Sequence, residues 1–160
     1  MLRINRLIVQ GFRSFGPEPQ EVQFESPLTV IWGPNSEGKT SLAEAIEFLF
    51  TGDIARRALL ASAVDEFENS LRNAHLAAGT PTFVEATITG SDGASHVVRR
   101  TLVTDFTKRK LCTSKLELAG AVATADDLRA VGVHLSEPPL VAPVLMQHTL
   151  GACAPESLAV

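Results

Sequence analysis

Eight consecutive residues, Gly33-Pro-Asn-Ser-Glu-Gly-Lys-Thr40, fit the pattern GxxxxGK[ST]. Each fixed position has a chemical reason. Glycines let the backbone curl until successive N–H groups point inward and ring an anion. Lys39 then sets an ammonium against the β- and γ-phosphates of a nucleotide, and the hydroxyl of Thr40 is a ligand for Mg²⁺. A helix beginning at this point aims its positive end at the same charge. The chemistry implied is the gripping of a triphosphate, with ATP and Mg²⁺ as ligands. Gly33, Asn35, Ser36, Glu37, Gly38, Lys39, Thr40 and Ser41 are its contact residues, and Lys39 is also the candidate catalytic cation.

The flanking elements suit that task. Leu28–Trp32 is a compact apolar run that reads as a buried strand leading into the loop. From Ser41 to Thr51, Leu42, Ala45, Ile46, Leu49 and Phe50 recur at three- and four-residue steps, which predicts a helix leading out. Before the loop, Leu2–Phe12 reads as a first strand and Glu21–Phe24 as a short strand paired with it, separated by a turn at Gly16, Pro17 and Pro19. After it, a helical stripe of Leu60, Val64, Phe67 and Leu71 ends before Gly79 and Pro81. Thr82–Thr89 and Ser95–Val103 form a hairpin across Gly90-Ser-Asp-Gly93, and Leu111–Leu118 adds a further strand. Thr124 caps a short helix, with Asp127 at the capping-box position. Ser136–Pro143 is a proline-rich connector, and Val144–His148 is a last short strand. The fold class expected is α/β: a mixed sheet with an antiparallel β block and a few helices.

Composition bounds the alternatives. With 160 residues, 45% of them apolar and 20% charged, the chain suits one globular domain. A net charge of −4 gives no general attraction to nucleic acid, so a DNA contact requires a local basic patch. Arg99, Arg100, Lys108, Arg109, Lys110 and Lys115 are the candidate cluster, set against a simpler reading as a solvated strand face. Cys112 and Cys153 lie far apart without ligand spacing and read as free thiols. No signal-peptide core follows the N-terminus, and no run approaches the roughly 20 apolar residues of a membrane span. A soluble, cytoplasmic protein with no membrane partner is expected.

The segment Ile4-Asn-Arg-Leu-Ile-Val-Gln-Gly-Phe-Arg-Ser-Phe15, the strand ending at Phe24, the run Leu28-Thr-Val-Ile-Trp-Gly-Pro-Asn35 and the helix Ser41–Gly52 together resemble the N-terminus of SMC, RecF, RecN and SbcC ATPases. The resemblance implies the N-terminal lobe of an ABC-type P-loop head, running from residue 1 to 160 as a fragment of a longer protein. It implies that Arg13 reaches the nucleotide phosphates. It also implies that Gln147 is the Q-loop glutamine, a second Mg²⁺ ligand that helps hold the attacking water. One departure is Ser36, where the family usually has glycine; if that position needs a positive φ, serine costs about 1 kcal/mol more.

A P-loop ATPase also needs an acidic residue at Mg²⁺ and a group that orients water. Leu59–Glu66 imitates the acidic strand, but Ser62 interrupts it and a helical stripe runs through Asp65 and Glu66. Leu135-Ser-Glu-Pro-Pro139 imitates the start of the family's signature loop with prolines in place of glycines. The resemblance therefore implies partners: a C-terminal lobe bearing the Walker B and signature motifs, in cis or in trans, and a second head across a sandwiched nucleotide. DNA and a nuclease subunit complete that set. ATP hydrolysis is expected of the complete protein, in DNA repair, chromosome maintenance or phage defence. Two alternatives stand beside it: a non-hydrolysing nucleotide sensor that dimerises around ATP, and a small P-loop kinase.

Overall fold

The computed structural model describes residues 2–34, 37–54, 71–104 and 113–135. Strand β1 (Arg3–Gln10) pairs antiparallel with β2 (Gln20–Gln23) on one side and with β3 (Phe83–Thr89) on the other. The sheet continues through β4 (Ser95–Thr104), β5 (Thr113–Leu118) and β6 (Ala121–Val122), giving the order β2-β1-β3-β4-β5-β6. Every pairing among these six strands is antiparallel. Helices α1 (Lys39–Thr51) and α2 (Ala125–Ala130) complete the described elements.

Alternation divides the sheet into two faces. Leu7 and Val9 of β1, Val84, Ala86 and Ile88 of β3, Val98 of β4 and Leu116 of β5 are buried in one cluster. Cross-strand register keeps them together, with Leu7 opposite Ala86, Val9 opposite Val84 and Ala86 opposite Val98. Helix α1 packs on β3 and β4 and adds Leu42, Ala45, Phe48 and Leu49 to that cluster. The opposite face carries charge in matched pairs: Arg6 with Glu21, Arg99 with Glu85 at 3.1 Å, and Lys115 with Glu117 at 2.8 Å.

Carbonyls at the end of α1 find partners beyond the helix. The Thr51 hydroxyl donates to the Glu47 carbonyl at 2.8 Å, and the Gly52 N–H to that of Phe48 at 2.8 Å. Arg100, reaching over from β4, donates through Nε to the Leu49 carbonyl at 2.8 Å and through Nη2 to that of Phe50 at 3.3 Å. Four carbonyls normally lack partners at a helix C-terminus; of those here, Phe48 is met by the Gly52 N–H, and Leu49 and Phe50 by Arg100. Arg100 is only 9% exposed, and burial draws its guanidinium pKa down to about 10.

Several expected elements are present: the first two strands, the hairpin across Gly90–Gly93, the further strand β5, and the capping box in which Thr124 and Asp127 exchange hydrogen bonds. The run Leu28–Trp32 differs. It forms no strand, and Leu28 and Trp32 are 81% and 88% exposed. A strand apolar on both faces needs neighbours on both sides and a cover above and below, and none of the described segments supplies them. The parallel component of a mixed sheet is correspondingly missing among the described residues. The helix expected around residues 60–71, the acidic pair Asp65 and Glu66, the connector after Ser136 and the strand at Val144–His148 lie outside them, apart from Leu71.

Candidate functional site

The site is assembled from a hook at the end of β1 and the first turn of α1. Phe12 is fully buried and stacks on Phe48 of α1, with ring centroids 5.2 Å apart. The backbone then doubles back: the Phe15 N–H donates to the Phe12 carbonyl at 2.8 Å, and Gly11 N–H to Gly16 carbonyl at 2.9 Å. Arg13 sits inside this turn at φ 52°, a left-handed conformation that few non-glycine residues adopt. Its N–H donates to the Leu71 carbonyl at 2.8 Å, which fixes the strained residue from outside the turn. Non-glycine residues hold such conformations where surrounding structure over-determines them, and these cluster at functional sites.

The loop itself is described at both ends; Asn35 and Ser36 lie outside the described residues. Gly38 is the N-cap of α1 at φ 83°, and a Cβ there would stand 2.9 Å from the Ser14 Oγ. Glycine is therefore required twice over, by its dihedral and by the hook lying against it. The Lys39 Nζ crosses the loop to donate to the Gly33 carbonyl at 2.7 Å and to the carbonyl of Pro34. This folds the lysine side chain back onto the start of the loop. No side chain caps α1, and its first turn holds no acidic residue. The positive end of the helix is thus left facing the loop, as a phosphate site requires. Thr40 is exposed there and Ser41 half-buried. Glu37, also exposed, precedes the turn.

Arg13 joins the two halves. Its Nε donates to Oε2 of Glu44 on α1 at 3.0 Å; the arginine side chain is 23% exposed and the carboxylate 1%. Removing a partner from a buried ion pair typically costs about 3–5 kcal/mol, so this contact ties the hook firmly to the helix. Of the residues expected from the sequence, Arg13, Gly33, Gly38, Lys39, Thr40 and Ser41 converge on one end of α1, with Glu37 beside them. Gln147 lies outside the described residues. Glu44 and Ser14 were not foreseen. Helical spacing gave no signal for Glu44, which falls on the side of α1 away from the stripe of Leu42, Ala45 and Leu49, where a solvated carboxylate is the natural reading.

The glycine cradle, the uncapped helix end and the lysine fit a nucleotide's phosphates. For Mg²⁺ the described residues offer the Thr40 hydroxyl but no cluster of three or more His, Cys, Asp or Glu side chains. Among the described residues, the basic cluster read from the sequence forms no continuous basic face: Arg99 and Lys115 are paired with glutamates, Arg99 also lies over the Phe83 ring at 3.6 Å, and Arg100 is buried under α1. Lys108, Arg109 and Lys110 are outside the described residues. No helix among the described residues is long and apolar enough to cross a membrane.

Fold and site together define the class: a P-loop lobe in which a strand-end hook lies against the glycine that opens a helix. The chain belongs to the AAA_23 family, described as an AAA domain, whose model matches residues 6–129; the family implies ATP binding. Among curated proteins it is similar to DNA repair protein rad-50 of Caenorhabditis elegans, 31% identical over 125 residues that cover 74% of this chain and 9% of that protein. DNA repair protein RAD50 of Dictyostelium discoideum is 46% identical over 55 residues, 34% of this chain and 4% of that protein. The chain thus spans less than a tenth of the length of these relatives. One similar solved chain is described as "Structural biochemistry of ATP-driven dimerization and DNA stimulated activation of SMC ATPases". Its TM-score is 0.64 at 23% identity, covering 96% of this chain and 93% of that one. The Smc head domain of Pyrococcus yayanosii gives 0.62 at 23% identity, over 89% of this chain and 28% of that one. The SMC-head-like fold expected from the opening residues is therefore present.

Proposed function

We propose that this chain is the ATP-gripping N-terminal lobe of an ATPase head that acts on DNA, in repair, chromosome maintenance or phage defence. The observation that carries the reading is the uncapped, acid-free first turn of α1 with Lys39 drawn across the loop that precedes it. Backbone N–H groups from Gly38 onward hold the phosphate oxygens, and Lys39 neutralises the terminal ones. Arg13 adds a second cation from the hook. Thr40 and Gln147 would hold Mg²⁺, which would supply charge neutralisation at the phosphates.

Leu28, Val30 and Trp32 lead into the loop as an exposed apolar run. In this reading they form the seam with a second lobe that brings the Walker B acid and the signature loop, in cis or in trans. The RAD50 and Smc relatives support such an assembly, and a second head, DNA and a nuclease subunit are its further partners. Calorimetric titration of the intact protein with Mg-ATP tests the reading: saturable binding lost in K39A supports it, and equal behaviour of the two proteins overturns it.

A second reading is a nucleotide sensor that binds without hydrolysis, favoured because no acidic strand end stands at the loop among the described residues. Steady-state ATP turnover by the purified chain, abolished in K39A, would reject it. The small-kinase reading is not supported, since such enzymes repeat parallel βα units and the described strands form an antiparallel sheet.

A further inference from the structure

We propose that Glu44 is a positioning residue of the nucleotide site, holding the Arg13 guanidinium in the orientation that meets phosphate. The inference rests on the ATP-site reading above and adds a component that the loop pattern does not contain.

Three observations converge. Glu44 lies four residues beyond Thr40 on α1, hence on the same face and about 6 Å further along the axis. Its carboxylate is 1% exposed and receives Arg13 Nε at 3.0 Å. The hook that carries Arg13 also touches the loop, where Ser14 lies against Gly38. An arginine on a flexible surface segment loses side-chain entropy each time it meets a ligand. Here the backbone is fixed by the Leu71 carbonyl and the side chain by Glu44, so much of that ordering precedes binding. The bond uses the inner nitrogen of the guanidinium. The edge formed by its two terminal nitrogens can pair bidentately with phosphate oxygens.

The test is a double-mutant cycle on Mg-ATP affinity in the intact protein, with wild type, R13A, E44Q and R13A/E44Q, each checked for cooperative thermal unfolding. Losing one charge-assisted contact in R13A weakens binding about tenfold or more. E44Q keeps the shape but removes the charge and weakens binding about threefold to tenfold. In the R13A background E44Q has no further effect on affinity, because Glu44 acts on the nucleotide through the arginine. A purely structural glutamate would instead change stability alone, or change affinity equally in both backgrounds. If E44Q does not fold, E44D, which withdraws the carboxylate from Nε, takes its place in the cycle. Wild-type protein that binds no Mg-ATP overturns the site reading itself. Binding that E44Q leaves unchanged or tightens, with R13A still impaired, overturns only the positioning role.

Discussion

Replacing Arg100 with methionine puts the end of α1 under the sharpest test, since one side chain there satisfies two carbonyls. The bond to Leu49 at 2.8 Å is short, and the bond to Phe50 at 3.3 Å is long. Hydrogen bonds from a charged donor contribute about 1.5–3 kcal/mol each, and a buried acceptor left without a partner costs about 1–3 kcal/mol. Against this stands the release of a buried guanidinium, whose desolvation is visible in its pKa of about 10. Methionine fills similar volume without that cost. The balance is a loss of about 3 kcal/mol, the Leu49 bond carrying most of it, which corresponds to a fall in melting temperature of roughly 6–12 °C for a chain of this size. Urea unfolding followed by circular dichroism gives the free energy directly. Arg100→Lys keeps the charge but lacks the fork, and recovers roughly half of the loss. Ser114→Ala, which removes only the acceptor of Nη1 at 3.2 Å, stays within about 1 kcal/mol of wild type. An Arg100→Met protein within about 0.5 kcal/mol of wild type would refute the accounting, because it would mean that the two carbonyls do not need the arginine.

Other expectations follow from the same geometry. Gly38→Ala places a Cβ 2.9 Å from the Ser14 hydroxyl at φ 83°, so it costs at least about 1 kcal/mol by denaturation and abolishes ATP binding measured by calorimetry. Phe48→Ala removes the stacking partner of Phe12 and loses about 3–5 kcal/mol, with the hook's amides becoming the first to exchange in deuterium-exchange experiments. The double substitution of Leu28 and Val30 by serine changes the stability of this chain by less than about 0.5 kcal/mol, because both side chains are exposed, yet weakens its association with a second lobe in sedimentation experiments. Asp127 has its pKa lowered, chiefly by the Thr124 backbone N–H and then by the Thr124 hydroxyl. Its contribution is therefore full above the usual carboxylate range and is lost as pH falls through the lowered value, a loss that an acid titration should show in wild type and not in Asp127→Asn.

How far these features were legible depends on how local their physics is. The hairpin strands could be read because alternation and the Gly90–Gly93 turn are short-range signals. The Thr124 cap could be read because its partner is three residues away. The glycine loop likewise declares itself within eight residues. Arg100 was read as part of a basic cluster or of a solvated strand face and is instead buried, because its partners lie some 50 residues earlier, at the end of α1. Arg13 was tied to the site through resemblance, but its link to Glu44 spans 31 positions and left no local trace, because Glu44 falls on the side of α1 away from the apolar stripe. Leu28–Trp32 shows the opposite error. Its apolar run states that the segment suits burial, while burial itself depends on elements that must come to cover it, and the described segments do not.

The most direct test of the central claim is the ¹⁵N–¹H spectrum of the intact protein during a titration with Mg-ATP. If the loop and the uncapped turn of α1 grip the phosphates, the largest saturable shifts fall on the amides of Gly33 and of Gly38 to Ser41, with Arg13 moving in step. A spectrum in which those amides stay fixed while nucleotide binds elsewhere, or in which no amide responds, would contradict it.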